Sequence, residues 1–321
     1  MQPGERKKKM NDEIRHSLRV VLVSICATLC MTSIAFAADK SIAEATAKPD
    51  KVAKRVWFGP APSQIKKLYD IGLPKRIGLL SFNIYDTGSH EYTPLVDVWG
   101  HKIEKWGMNE FVSNVHASKF AEMGVPVIKQ RFAEKGMEVL TPFEFLDTEE
   151  KITAYLSFEL MKTGWQKAAE AQLEWLDRNP HASGAAYGFR MIPLHASFLQ
   201  QEVMGQLNEF RKTLGLDALM VVTTHTGTSN RGSNLGAVTM QLVGPNPEPR
   251  PENEKHVKWW WPAILYPSAN FGKGFKGAPF LTYETKKSPG WHSYEGFDVI
   301  IDAMSTRTLA ELQKHYDKGA P

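Results

Sequence analysis

Cysteine is nearly missing from this chain. The 321 residues hold two, Cys26 and Cys30, both inside an apolar N-terminal run. Beyond them no disulfide, thiol nucleophile or thiolate metal site can form. Closely spaced histidines are missing too. Nine of the ten histidines fall between His90 and His315, and none forms His-x-His or HExxH, the spacings that place two ring nitrogens on one metal. There is no G-x-S-x-G nucleophile elbow, because Gly227-Thr228-Ser229-Asn230-Arg231 departs from it at the last position. A phosphate loop is absent for a similar reason. Gly227 and Gly232 have its glycine spacing, but Ser233 stands where a lysine would reach the phosphates, and a strand pattern follows instead of a helix. The turn chemistry of Gly, Asn and Ser reads instead as a long hairpin loop. No cofactor motif remains, so no cofactor is expected.

An excess of one charge is also lacking once the leader is set aside. Arg6, Lys7, Lys8, Lys9, Arg15 and Arg19 precede the apolar run Val20–Ile34, against Glu5, Asp12 and Glu13; the formal +4 of the whole chain falls to +1 beyond Ala37. The basic balance belongs to the leader, and nothing points to nucleic acid. Basic residues, an apolar run and the small-residue site Ala35-Phe36-Ala37 together read as a secretory signal peptide over residues 1–37, cleaved after Ala37, with a periplasmic destination in a bacterium. The alternative, a retained anchor, is opposed by a run shorter than the ~20 residues a span needs. Leu29 and Ile25 precede the two cysteines, where a lipoprotein signal has a small residue, so no lipidation is expected. No membrane span follows the leader.

What is present is an α/β pattern. Residues 38–75 read as a flexible arm, with Val56-Trp57-Phe58 extended and Ser63–Leu68 a short helix. Arg76–Tyr85 has the apolar density of a central strand. Glu91–Lys105 reads as an inserted hairpin. A helix from Glu110, with Phe111, Val115 and Phe120 inward, is expected to break at Gly124 and Pro126; a second helix runs from Pro126 to Gly136, and the strand Met137–Leu140 follows. The plan repeats at Ser197–Val222: a capping box of Ser197 and Gln200, an apolar stripe of Leu199, Val203, Leu207, Phe210 and Leu214, cations in the last turn, a glycine cap and a short apolar strand. Between the repeats lies a helical insertion, about 147–196, opened by Asp147 and Glu150 and closed by a loop from His181 to Pro193. His225–Gly236 reads as a polar loop and Ala237–Val243 as the returning strand. Residues 245–321 read as an extension packed on the same domain, with strands at Ala263–Tyr266 and Phe280–Thr285 and a helix over Gly296–Tyr316.

Leu80-Ser81-Phe82 at the end of the first strand, Gly136-Met137-Glu138-Val139 entering the second, Leu214-Gly215-Leu216-Asp217-Ala218 entering the third, and Leu242-Val243 closing the hairpin strand resemble the α/β domain shared by the curli secretion-channel subunit CsgG and the N-terminal domain of TolB. The resemblance covers Arg76 to Gly244. It implies a mixed sheet flanked by helices in one domain, 76–244, and a periplasmic accessory or assembly protein that works by protein–protein contact, with no catalytic residue. The lipidated cysteine and the long alternating hairpins of a secretion pore are lacking. The implied partners are envelope proteins, and a homo-oligomer is left open.

Two groups of residues are candidates. Trp259, Trp260 and Trp261 cannot all point inward from a strand, and they are read as an aromatic interaction surface. The alternative is a ligand, metal or acid–base site at the strand ends, where α/β sheets bind ligands. It would be built from Asp86, His195 and His225, with Ser229 and Arg231 from the glycine loop.

Overall fold

The computed structural model describes residues 40–59, 62–86, 95–98, 101–104, 110–162, 167, 181–194, 200–229, 231–253, 260–283 and 289–320. The described elements run α1 (Ile42–Thr46), α2 (Pro49–Lys54), β1 (Val56–Phe58), a 3-10 turn (Ser63–Lys67), α3 (Leu68–Ile71), β2 (Arg76–Asp86), β3 (Leu95–Val98), β4 (His101–Glu104), α4 (Glu110–Ala133), β5 (Glu138–Leu140), α5 (Pro142–Phe145), α6 (Glu149–Ser157), β6 (His181–Ser183), α7 (Gln201–Thr213), β7 (Ala218–Ser229), β8 (Gly232–Pro245), β9 (Ala263–Leu265), β10 (Ala269–Phe271), β11 (Ala278–Thr282), β12 (Trp291–His292) and α8 (Phe297–Asp317).

The main sheet is mixed and ordered β1-β10-β8-β7-β2-β5, with β6 on β2, β9 and β11 on β8, and β12 on β11. β2 runs parallel to both β5 and β7. Each of those strands comes after a helix closed in the same way. Gly136 and Gly215 take positive φ, 71° and 66°, a backbone that side-chain-bearing residues rarely adopt. Met137 N then reaches Phe132 O, and Leu216 N reaches Arg211 O, each at 3.1 Å. This Schellman closure turns each helix sharply into its strand. The next amides bond straight to the start of β2: Glu138 N to Lys75 O at 2.6 Å and Asp217 N to Arg76 O at 2.8 Å. The Asp217 carboxylate returns the contact by accepting from the Lys75 and Arg76 amides at 2.9 Å each.

Two apolar cores lie on the two faces of this sheet. One is filled by α4 and α8 with α1 and α2, the other by α5, α6 and α7. β2 serves both, and does so irregularly. Ile77, Leu79, Phe82 and Ile84 all enter the first core, whereas Leu80 enters the second. Strict alternation forbids that set. A bulge between Leu79 and Ser81 in the pairing with β7 resolves it, since one extra residue flips the parity of everything beyond it. The flip leaves Ser81 and Asn83 on the second face. There Asn83 Nδ2 donates to Ile192 O at 3.0 Å, and Ile192 N to Ser81 Oγ at 3.2 Å. Tyr155 Oη donates to Leu80 O at 2.7 Å and accepts from Arg190 N at 3.2 Å. The edge of β2 between its pairings with β5 and β6 is thus closed by side chains and a strap of chain. Burial pushes the Tyr155 phenol well above its ordinary range, so it stays a neutral donor. Tyr155→Phe strands the buried Leu80 carbonyl, and a loss of about 1–3 kcal/mol is expected in urea unfolding.

Several sequence expectations change. Residues 40–54, read as flexible arm, form α1 and α2, while Val56–Phe58, read as extended, is edge strand β1. Ser41 caps α1, accepting from Glu44 N at 3.3 Å, while Ser41 N donates to the Glu44 carboxylate at 2.9 Å. Ile42, Val52 and Val56 are buried; three well-placed apolar residues anchor a segment that shows no periodicity. The turn Ser63–Lys67 and a hairpin of β3 and β4 lie where the sequence placed a short helix and an inserted hairpin. α4 runs unbroken through Pro126. Both halves bury one stripe, Ala117, Phe120, Ala121, Val125, Ile128 and Phe132, and that burial offsets the roughly 3 kcal/mol a proline costs a helix interior. Val115, expected inward, is exposed.

α7 starts one turn later than a Ser197 cap implies, with Gln200 at the N-cap; Ser197 and Leu199 lie outside the described residues. Thr148, not Asp147, caps α6, while Asp147 pairs with the Lys151 ammonium at 2.7 Å. Of the stretch 163–180 only Lys167 is described, and that part of the expected helical insertion lies outside the described residues. The loop expected from His181 contains β6, antiparallel to β2. The loop expected over 225–236 is mostly strand, because β7 and β8 stay paired out to Ser229 and Gly232. In residues 245–321 the expected strands and helix are found as β9, β11 and α8, and β10, not expected, joins them; the strands extend the sheet and α8 fills its first core.

Candidate functional site

Alternation carries Phe82 and Ile84 into the first core and puts Asp86 on the same face, at the end of the central strand. It is fully buried. The neighbouring β7 pairs residue for residue, Tyr85 with His225 and Asp86 with Thr226. On β7 the even residues through Val222 enter the first core and Leu219 and Val221 the second. Thr226 and Thr228 therefore share the face of Asp86, and His225 lies on the other side of the sheet. Its ring meets Tyr85 edge to face at 5.7 Å.

Asp86 is joined by residues the sequence did not single out. Thr226 and Thr228 donate their hydroxyls to the same carboxylate oxygen at 2.7 and 2.6 Å. Thr228 Oγ1 also bonds Ser233 Oγ at 2.7 Å. Because the single Thr228 proton goes to the carboxylate, the Ser233 proton must point toward Thr228. The chain extends to Tyr283, which bonds Ser233, and whose phenol is pushed up by burial and by the charge of Asp86. A line of hydroxyls thus leads from Tyr283 to a buried carboxylate, with its protons oriented toward it.

His116 lies within the electrostatic reach of Asp86. It occupies the buried stripe of α4, one turn after Ser113; the two are 6% and 1% exposed. Its Nδ1 bonds the Tyr294 hydroxyl, and its buried Nε2 has no hydrogen-bond partner among the described residues, nor has Ser113 Oγ. Burial holds His116 at about 4, well below the ordinary histidine range. At neutral pH the ring carries no charge.

The sequence candidates are thus divided. Asp86 and His225 stand on opposite faces of one sheet. His195 lies outside the described residues. Ser229 accepts from Arg231 N at 3.1 Å within the hairpin turn, and Arg231 is exposed. Asp86 and His225 therefore do not converge, and no group of three or more potential metal ligands occurs among the described residues. Thr224, Thr226 and Thr228 recur with period two, a strand signature that reading this stretch as a loop concealed. His116 was hidden by the wrong helical phase that placed Val115 inward.

Trp259 also lies outside the described residues. Trp260 and Trp261 are half-buried and engaged by their own chain. Trp260 Nε1 donates to Glu248 O at 2.9 Å, and the Trp260 carbonyl accepts from Gln201 Nε2 at 2.6 Å. The Trp261 ring packs against both cores. Among the described residues the most exposed apolar side chains are elsewhere. Phe143 on α5 and Leu156 on α6 are 77% and 64% exposed, with Ile152 one turn before Leu156 and Met161 just beyond α6 also exposed.

Fold and site define a mixed-sheet α/β protein with helices on both faces and a buried Asp–Thr–Ser–Tyr hydroxyl line at the end of its central strand. No family model, no curated protein and no solved structure matches the chain. Among the described residues no helix is long and apolar enough to cross a membrane.

Proposed function

We propose that this is an exported cell-envelope accessory or assembly protein of the CsgG and TolB N-terminal-domain kind, and that it works by protein–protein contact. The leader supports export, and the strand-entry motifs support the family. The observation that carries the contact reading is the outward apolar side of α5 and α6. Phe143 and Leu156 stand largely in solvent, while their own helices bury Phe145 and Tyr155 inward. Large apolar side chains held out on helices are what a protein partner covers, and exposed apolar surface marks interaction sites. The Trp260–Trp261 stretch is the lesser surface, because both residues already serve the fold.

The test is in-envelope crosslinking followed by capture of the mature chain. A single stoichiometric partner, or a second copy of this chain, is expected with wild type and with Trp260→Ala. With Phe143→Ser and Leu156→Glu combined, recovery should fall at least about tenfold, the loss of one or two buried anchors. Both substitutions are at exposed sites and should leave the melting temperature unchanged. Equal capture by the double variant, or no stoichiometric partner, overturns the reading. Intact-mass measurement of the exported chain should find it beginning at Ala38.

A further inference from the structure

His116 is the polar end of an aromatic cluster. Its ring meets Phe280 edge to face at 5.2 Å and tilts against Tyr294 at 5.8 Å. One turn further along α4, Phe120 touches Phe280, Tyr294 and Phe297. Tyr294 is carried by a short segment that is thinly held. β12 makes two residue pairs with β11, Leu281 with His292 and Thr282 with Trp291. Among the described residues, β11 adds one backbone bond, Ser293 N to Phe280 O at 2.8 Å, and one side-chain bond, Trp291 N to Thr282 Oγ1 at 3.2 Å, while the Tyr294 carbonyl accepts from Phe297 N at the start of α8 at 3.1 Å. Few hydrogen bonds at an exposed edge make a unit that opens locally. The contact of Tyr294 with His116 ties that unit to the body of the protein.

The imidazole has no use for a second proton where it sits. In either neutral tautomer Nδ1 is satisfied by Tyr294. The imidazolium carries an N–H on both nitrogens, and its Nε2–H would meet no acceptor among the described residues, a costly arrangement for a charged buried donor. The groups around it do not reverse this. His292 on β12 opposes the charge and Asp86 on β2 favours it, yet burial is the largest effect and the balance disfavours the proton. On α4 itself Lys119 pairs with Glu122 at 2.7 Å. Glu122 acts also on Tyr294, whose phenol is pushed up to about 12, chiefly by burial, so that it remains a neutral partner. Tyr283, one residue beyond β11, is likewise held neutral, and β6, packed on α4, carries His181.

We propose that His116 and Tyr294 form a latch that acid releases: a proton taken from solvent by His116 frees the segment Trp291–Tyr294 from α4 and uncovers the apolar faces of Phe120 and Phe280. The direction is set by linkage. The released ring returns to an ordinary value near 6.5, whereas the latched ring sits at about 4. The latched state is fully favoured above the higher value and loses that advantage as pH falls from there to the lower one. The latch lies on the face of the sheet opposite α5 and α6, so it stands whether or not those helices bind a partner.

Hydrogen exchange read by mass spectrometry on the full chain tests it, with protection corrected for the intrinsic pH dependence of exchange. Peptides covering 289–294 should lose protection by roughly 30- to 100-fold between pH 7.5 and pH 4.5, while peptides from β2 and β7 keep theirs. His116→Gln, which cannot take up the proton, should show no such loss. Tyr294→Phe removes the tie and should expose the segment already at pH 7.5. Parallel loss in wild type and His116→Gln overturns the latch. So does loss from every peptide at one pH, which is global acid unfolding, and so does wild-type protection of the segment in Tyr294→Phe at pH 7.5.

Discussion

Alanine at position 86 is expected to lower stability by about 2–5 kcal/mol, seen as a reduced urea midpoint at pH 7 with an unchanged slope. The Asp86 carboxylate is fully buried and is the acceptor on which two hydroxyl protons converge. Removing it strands Thr226 inside the fold and breaks the order of the chain through Thr228 and Ser233. A buried donor without an acceptor costs its full desolvation, about 1–3 kcal/mol each. Asp86→Asn keeps one carbonyl oxygen and should lose about half as much. The decisive comparison is Asp86→Leu with Thr226→Val and Thr228→Val. If the carboxylate works as an anchor for the hairpin, replacing donors and acceptor together by apolar groups recovers most of the loss, because no stranded hydroxyl remains. If Asp86→Ala unfolds at the wild-type midpoint, the carboxylate is not holding the hairpin, and a binding role at the strand end becomes the better account of its burial.

The same residue shows what could be read in advance. Asp86 was legible as the end of a central strand, since the apolar run before it stops there. Its companions were not. Thr226, Thr228 and Ser233 look like loop residues by composition, and they are strand because β8 pairs with β7 along its whole length. Pairing is a tertiary fact that local propensity does not report. The turns into β5 and β7 were fully legible, since a glycine after a cationic helix end admits few conformations. The bulge in β2 was not, because Ile77 to Ile84 is apolar on both parities apart from Ser81 and Asn83, and a run without alternation carries no register. Those two polar residues were the available sign. Both are buried, on the face where the strap through Arg190 and Ile192 meets them. The N-terminal helices escaped notice because three anchors, Ile42, Val52 and Val56, do not make a period. The polar positions of α4, Ser113 and His116, escaped because they break an apolar stripe at the point where its phase would be judged.

Phe82 lies just beyond that bulge, and Phe82→Ala should be the most costly single change in the first core, about 3–5 kcal/mol. The ring is fully buried. It stands 6.2 Å from Phe297 of α8 and 6.5 Å from Phe189, and it lies under Gly124 of α4, where an added methyl would meet it at 3.1 Å. Three elements close on this one side chain, so truncation leaves a cavity that none of them can collapse into without moving a helix. The glycine makes the prediction specific. In the wild-type background Gly124→Ala gains about 1 kcal/mol of helix propensity but forces the Phe82 ring and Ile301, at 3.3 Å, to give way; its net effect should be near zero or unfavourable. With Phe82→Ala beneath it, the same methyl enters empty space, and both the propensity and part of the lost contact are recovered. The double variant should therefore be more stable than Phe82→Ala by about 1–2 kcal/mol, a coupling of opposite sign to the single effect. Strictly additive energies in that cycle would mean that Phe82 and Gly124 do not meet, and that the parity assigned to β2 beyond its bulge is wrong.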